Sequence, residues 1–372
     1  GSLQEFAYLS TFGFGEYPID SNVVKTLYET VLPNPNFTWE VARNTNIGID
    51  TKLFNRVNLT LEWFNNQRDR ILIQQQGSTP DSSGIASLLP PTNFGSMTNS
   101  GYEFNIAYSG GDSNYSNPNG FRYTVGLNGG YSKNEIEFID EVSGAPEWQL
   151  REGKPLGAYL LYETDGVFYD QSEIDANAVD YSQVTPQLRP GDLRLVDYDG
   201  NGKIDADDQV RQEDSFTPRL QYGITLDMSY KNFDLSILFQ GSQGGLTTLF
   251  NGEFGDWGNY YKYQHDNRWS IDNPSREHPR LASRGDTWYT DGGYGNNTYN
   301  YGSTDYLRLK NIELGYTLPQ NVFGQGFISN VRFYASGLNL LTFTEFDMSD
   351  PEIANRTYPL SKVWNLGVRL NF

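Results

Sequence analysis

The sequence predicts an all-β chain of long antiparallel strands, and three observations predict it. Apolar and polar residues alternate with period two over long stretches. The composition suits strands and turns and is poor for helices: aromatics make up 15%, with 26 Tyr and 22 Phe, beside 38 Gly and only 3 Met. The connections between the alternating stretches are very unequal in length. A transmembrane helix is excluded, because no stretch approaches ~20 apolar residues; the mean hydropathy is −0.59. A transmembrane β-barrel is not excluded, since its strands hide their apolar residues in alternation. The competing architecture is a secreted β-sandwich of lectin type.

Taken in order, Phe6, Tyr8, Ser10, Phe12 and Phe14 already lie two apart, so the chain begins as if mid-protein. Gly1 to Glu5 shows neither a basic start nor an apolar run, and the expectation is a piece of a longer chain. In Val57 to Trp63 the odd positions are apolar and the even ones polar. Tyr123, Val125, Leu127 and Tyr131 alternate with Thr124, Gly126, Asn128 and Ser132. Tyr222 to Tyr230 and Phe233 to Phe239 form a hairpin with a tight turn at Lys231-Asn232. Ile312 to Leu318, Val331 to Gly337 and Trp364 to Phe372 follow the same rule, the last ending on an aromatic. About eleven or twelve such strands occur, many about ten residues or longer, as a tilted membrane crossing requires. Strands of soluble proteins run shorter, about five or six residues.

The turns at Lys231-Asn232 and Gln320 to Gly326 are short. Gln74 to Thr98, Asp140 to Pro155, Asp170 to Pro218 and Gly241 to Ser303 are long. A barrel with short periplasmic turns and long extracellular loops has this asymmetry. No hydrophilic linker marks a domain boundary, so residues 1–372 read as one barrel region.

Charge and chemistry narrow the function. Lys and Arg number 27 against 46 Asp and Glu, a net charge of −19, which argues against nucleic-acid binding. Zero cysteine excludes disulfides, thiolate nucleophiles and Cys-ligated metals. His265 and His278 have no second ligand at metal spacing. Carboxylate pairs such as Glu345 with Asp347, or Asp350 with Glu352, arise by chance among so many acids, and no enzyme is expected.

Asp197 to Asp208 matches a calcium loop. Side-chain oxygens come from Asp197, Asp199, Asn201, Asp205 and Asp208, and the backbone carbonyl from Lys203. Gly202 supplies the sharp turn and Ile204 the apolar anchor. Asp208 stands where Glu is commonest. Calcium fits best, with Mg²⁺ second, in a structural role; an acidic turn without metal is the alternative. The segment from Phe250 to Tyr306 gathers aromatics, among them Trp257, Tyr260, Tyr261, Trp269, Trp288 and Tyr289. Such faces beside amides and carboxylates suit a ligand or partner, or pack the loop against itself.

Four segments carry a family resemblance. Arg151-Glu152-Gly153-Lys154-Pro155-Leu156-Gly157 is followed by Thr164-Asp165-Gly166-Val167-Phe168. Pro190-Gly191-Asp192-Leu193 leads into the acidic loop. Asp305-Tyr306-Leu307-Arg308-Leu309-Lys310-Asn311 precedes Leu314-Gly315-Tyr316. Val331 to Leu341 and the final Val363 to Phe372 complete the set. In these the chain resembles the C-terminal portion of SusC/RagA-type TonB-dependent outer-membrane transporters of the Bacteroidetes, across most of positions 40–372. The resemblance implies part of a 22-stranded plugged barrel, with the plug absent from this chain. It implies active import of a glycan, oligosaccharide or peptide across the outer membrane. The implied partners are a SusD-like surface lipoprotein, the TonB system and outer-membrane lipid, and the loop from Gly241 to Ser303 is expected on the extracellular side. Two other functions stay open: a soluble calcium-dependent glycan-binding β-protein, and a transporter-derived barrel serving as a scaffold.

Overall fold

The computed structural model describes residues 8–20, 22–75, 77–112, 119–185, 187–249, 262–281, 296–319, 329–346, 350–353 and 360–372. The strands are β1 (Thr11–Ile19), β2 (Asn22–Val31), β3 (Val41–Leu53), β4 (Val57–Ile73), β5 (Thr92–Gly111), β6 (Arg122–Phe138), β7 (Leu160–Tyr162), β8 (Thr164–Val167), β9 (Leu193–Leu195), β10 (Gln209–Arg211), β11 (Leu220–Tyr230), β12 (Phe233–Gln243), β13 (Leu246–Thr248), β14 (Tyr301–Ser303), β15 (Tyr306–Thr317), β16 (Asn330–Thr344) and β17 (Val363–Asn371). Two short helices, α1 (Gln171–Ala176) and α2 (Lys262–Asn267), accompany them. Nine long strands form one sheet in the order β17-β16-β15-β12-β11-β6-β5-β4-β3, and β1 pairs with β2 separately. The sheet is antiparallel, and among the described residues β17 and β3 are its edges.

The register explains the alternation. Tyr123, Met228, Leu235, Leu314, Ala335 and Leu366 stand in one cross-strand row from β6 to β17. Thr124, Asp227, Ser236, Glu313, Ser336 and Asn365 make the adjacent row on the opposite face. A one-residue slip in any strand would exchange the faces, so the pattern itself holds the register. Tyr123, Met228 and Leu235 of the apolar row are half-buried, and the row opens toward β17, where Leu314 is 50% exposed and Leu366 88%. On the polar face, the Arg332 guanidinium bridges Asp234 of β12 and Glu313 of β15.

A bulge repairs one break in the pattern. Leu307 and Leu309 are odd-numbered, whereas Ile312 and Leu314 are even. The register shifts on both sides of Lys310, so Leu309 faces Phe239 while Ile312 faces Ile237. One extra residue thus keeps the apolar face continuous.

The hairpin turn lies at Lys231-Asn232 as the sequence predicts, with Lys231 at φ 52°. The β3–β4 turn is equally tight: Phe54 and Asn55 both take positive φ, and the Arg56 amide donates to the Leu53 carbonyl at 3.0 Å. Three long-loop expectations need correction, one of them Gly241 to Ser303, which holds the end of β12, β13, α2 and β14. Thr92 to Thr98 are strand, the start of β5; only Phe94 and Met97 are large and apolar there, so no alternation announced it. Asp170 to Pro218 is no structureless loop, because it holds α1, β9, β10 and a buried core.

The chain forms two compact units. One comprises Gly1–Thr45, Phe64–Ser100 and Lys133–Ala158; the other comprises Asn46–Trp63, Gly101–Ser132 and Tyr159–Phe372. Each is assembled from three stretches, so no single linker could have marked a boundary. In the first unit, Asp140 accepts the Gly77 and Ser78 amides at 2.7 and 3.1 Å. The second holds the functional candidates.

Candidate functional site

A small folded module interrupts the barrel-type strands between β6 and β11. β7 pairs with β10 and β8 with β9. Asp170 caps α1, accepting the Ser172 and Glu173 amides at 2.9 and 3.1 Å. Val167, Phe168, Tyr181, Leu193, Leu195 and Ile204 are all nearly or fully buried in its core. The Tyr181 hydroxyl donates to the Leu195 carbonyl at 3.1 Å and accepts the Leu195 amide at 3.0 Å. Burial pushes its pKa up to about 12.

The turn Pro190-Gly191-Asp192 binds the segment around α2 to this module. Asp192 is fully buried and accepts Arg280 Nε at 2.6 Å and the Arg189 amide at 2.8 Å. The Arg280 amide donates to the Gly191 carbonyl, and the Gly191 amide to Phe168, both at 2.8 Å. Gly191 has φ 93°, and a Cβ there would lie 2.7 Å from the Trp269 ring. Glycine is therefore required twice over. Trp269 packs against the core and donates from Nε1 to the Tyr169 carbonyl at 2.9 Å. Of the aromatics proposed for ligand or partner contact, Trp269 is thus engaged in packing. Trp257, Tyr260, Tyr261, Trp288 and Tyr289 lie outside the described residues. His278 Nδ1 lies 3.0 Å from the Tyr299 hydroxyl, and His265 Nδ1 lies 3.2 Å from Asp266.

The acidic loop is anchored to the same core. Ile204 is fully buried, its amide donates to the Asp180 carbonyl, and the Asp180 amide donates to Gly202. Carboxylate oxygens of Asp197, Asp199 and Asp208 lie within 4.8 Å of one another. Asp208 is fully buried, and burial raises its pKa above the ordinary range. It accepts the Tyr198 and Asp205 amides at 2.7 and 2.8 Å. Asp197 accepts the Asn201 and Gly202 amides at 3.1 and 2.9 Å. Asp205 instead caps the turn at 206–208 and pairs with Lys203 Nζ at 2.7 Å, which holds its carboxyl below the ordinary range. The Asn201 amide group donates to Asp199 at 2.8 Å. Three of the expected oxygen donors therefore converge, while Asp205 and Asn201 are engaged within the loop. Three close carboxylates, one of them desolvated, fit a hard divalent cation. The ion would supply charge neutralisation that locks the turn.

A second charged cluster sits where β15 meets the connection from β16 to β17. Arg308 is 1% exposed. Its guanidinium donates to Asp350 Oδ1 and Glu352 Oε2, both at 2.7 Å, and to Thr342 Oγ1 at 3.0 Å. Lys310 Nζ adds a bond to Glu352 at 2.8 Å. Asp350 and Glu352, which sequence alone offered as a chance pair, are the partners of these two cations.

No family model matches the chain. Curated relatives do. It is 29% identical to TonB-dependent receptor P3 of Formosa agariphila, over 100% of this chain and 38% of that protein. It is 30% identical to TonB-dependent receptor P26 of the same organism, over 87% of this chain and 32% of that protein. TonB-dependent receptor SusC of Bacteroides thetaiotaomicron is 24% identical over 99% and 36%. Among solved structures, the RagAB peptide importer in its open-open state superposes with a TM-score of 0.66 at 23% identity, covering 100% of this chain and 38% of that one.

The chain belongs with the SusC/RagA-type TonB-dependent receptors. It spans between about a third and two fifths of the length of the relatives named above. In this SusC/RagA-type chain the recognised segments have physical tasks. Arg151 bonds Glu141, and the Gly153 amide closes on Ile136. Gly191-Asp192 fastens Arg280, and Arg308 with Lys310 holds Asp350 and Glu352. Sequence reasoning quoted these segments without their partners, which lie 42 to 88 residues away in the last two cases.

Proposed function

We propose that the chain forms part of the wall of an outer-membrane nutrient importer and does no covalent chemistry. The observation that carries this reading is the apolar row from Tyr123 to Leu366, exposed from Leu314 to Leu366 and backed by a polar row from Thr124 to Asn365. A water-facing sheet would not leave Leu314 and Leu366 bare, whereas lipid covers such a face. The relatives named as TonB-dependent receptors, and the structural likeness to a peptide importer, support the class. The polar face would then line the lumen. The module of β7 to β10, fastened through Asp192 to Arg280 in the segment after α2, would stand on the long-loop side. There it would help form the surface met by substrate and by a SusD-like lipoprotein. Energy would come through TonB acting on the rest of the protein. Peptides and oligosaccharides are the substrate classes.

Calcium at Asp197, Asp199 and Asp208 would stiffen this module. That role is structural.

The experiment is uptake by cells lacking the gene, complemented with the full-length protein. Labelled oligopeptides and oligosaccharides are offered with and without a protonophore. One class should enter only in complemented, energised cells. Entry of neither, with the protein present and heat-modifiable in the outer membrane, refutes import and leaves the scaffold reading.

A further inference from the structure

A connected row of aromatic rings runs along the short-turn end of the main sheet. Arg56, in the β3–β4 turn, lies beside Tyr108. Tyr108 packs on Tyr123 at 5.9 Å between ring centres, Tyr123 on Phe121 at 5.6 Å, and Phe121 on Tyr230 at 6.5 Å. The Lys231 ammonium lies 5.1 Å from the Tyr230 ring centre. Across the hairpin turn, Phe233 and Tyr316 pack at 4.7 Å. They border an open groove of about 440 Å³ on the apolar face, lined also by Leu314, Phe333, Ala335 and Leu366.

The charge at this end runs against that of the chain. Lys52, Arg56, Arg122, Lys231, Arg332 and Arg369 are the cations among the described residues here, with Asp112 beside Gly120 and Asp234 as acids. Asp234 points to the opposite face and is held by Arg332. The protein as a whole carries −19. Rings with polar edges above an apolar band, capped by exposed cations, match the layering of a membrane interface, where the headgroup phosphates lie level with the aromatics.

We propose that this end docks anionic glycerophospholipid of the leaflet it faces. One phosphate lies against Lys231, and the acyl chain of that lipid runs along the groove beside Phe233 and Tyr316. Arg56 takes a second headgroup at the far end of the aromatic row. This rests on the reading that the apolar face meets lipid. An acyl chain matches the groove's apolar walls, and an anionic headgroup matches the local excess of cations.

The test uses the full-length protein reconstituted in brominated phosphatidylcholine vesicles, with Phe121→Trp as a fluorescence reporter compared against its parent. Unbrominated phosphatidylglycerol and unbrominated phosphatidylcholine are added as competitors. Phosphatidylglycerol should relieve quenching at lower mole fraction. That selectivity should fall about fivefold on Lys231→Gln and again on Arg56→Gln. Lys231→Arg should keep it, and salt should weaken it. Unchanged selectivity in Lys231→Gln overturns the proposal. Should that variant fail to fold, selectivity insensitive to salt in the reporter protein overturns it equally. Absence of any bromine quenching at the reporter overturns the membrane reading beneath it.

Discussion

Replacing Arg280 with Met tests how the loop module is held together. Asp192 has no exposed surface, and Arg280 Nε stands 2.6 Å from its Oδ1 with 12% of the arginine side chain exposed. Arg280→Met keeps most of the volume and removes the charge. The buried carboxylate then loses the Arg280 guanidinium, and breaking a buried pair in this way costs about 3–5 kcal/mol. The Arg189 amide still donates to Asp192, which places the expectation near the lower bound, about 3 kcal/mol. At about 1.4 kcal/mol per decade, local opening becomes roughly 10²-fold more frequent. Amide hydrogen exchange reads this directly. The Phe168, Gly191 and Arg280 amides, which bond to the Asp192, Phe168 and Gly191 carbonyls, should exchange about 10²-fold faster. The β11–β12 ladder should not change. Adding Asp192→Asn should recover part of the protection, because the neutral amide leaves no buried charge. Unchanged exchange at the three amides would sink the argument. A double variant no better than the single one would show that lost packing, not charge, was the cause.

Other expectations follow from the same geometry. Leu366→Arg places a cation on the apolar row and should cost about 2–4 kcal/mol near the membrane midplane, read as lost heat-modifiable barrel, while Asn365→Ser should do little; accessibility labelling that finds Asn365 on the lipid side would reverse the faces. Ile204→Ala empties a fully buried site and should destabilise the module by about 2–5 kcal/mol, seen as faster exchange at the Ile204 and Asp180 amides. Asp199→Ala should abolish calcium-dependent protection of residues 197–208 from protease while the sheet persists; protection equal in calcium and chelator in the parent would remove the metal. Arg308→Met should free the segment carrying Asp350 and Glu352, detected as new proteolysis there, with the β15–β16 ladder intact.

The long strands were legible because period-two alternation is a local property that each strand carries whole. Trp364, Leu366, Val368 and Leu370 can be assigned to one face without knowing any partner. The hairpin at Lys231-Asn232 is equally local. The module was not legible, since β7 to β10 are three or four residues each, too short to show a period. The acidic loop was read from spacing alone. Spacing could not say that Asp205 turns to Lys203 while Asp197, Asp199 and Asp208 converge.

What the sequence by itself determined is therefore the strand content, the two faces and the family likeness, all written in nearest-neighbour patterns. Tertiary structure alone decided which charges meet. Arg280 finds Asp192 from 88 residues away, and Arg308 finds Asp350 from 42. It also decided that Trp269 packs beneath Gly191, and that a bulge at Lys310 carries the apolar face across a change of parity. The physical reason is common to these cases. Alternation is imposed by the backbone of one strand, whereas a buried ion pair or a bulge is stabilised by a surface that exists only once distant strands have come together.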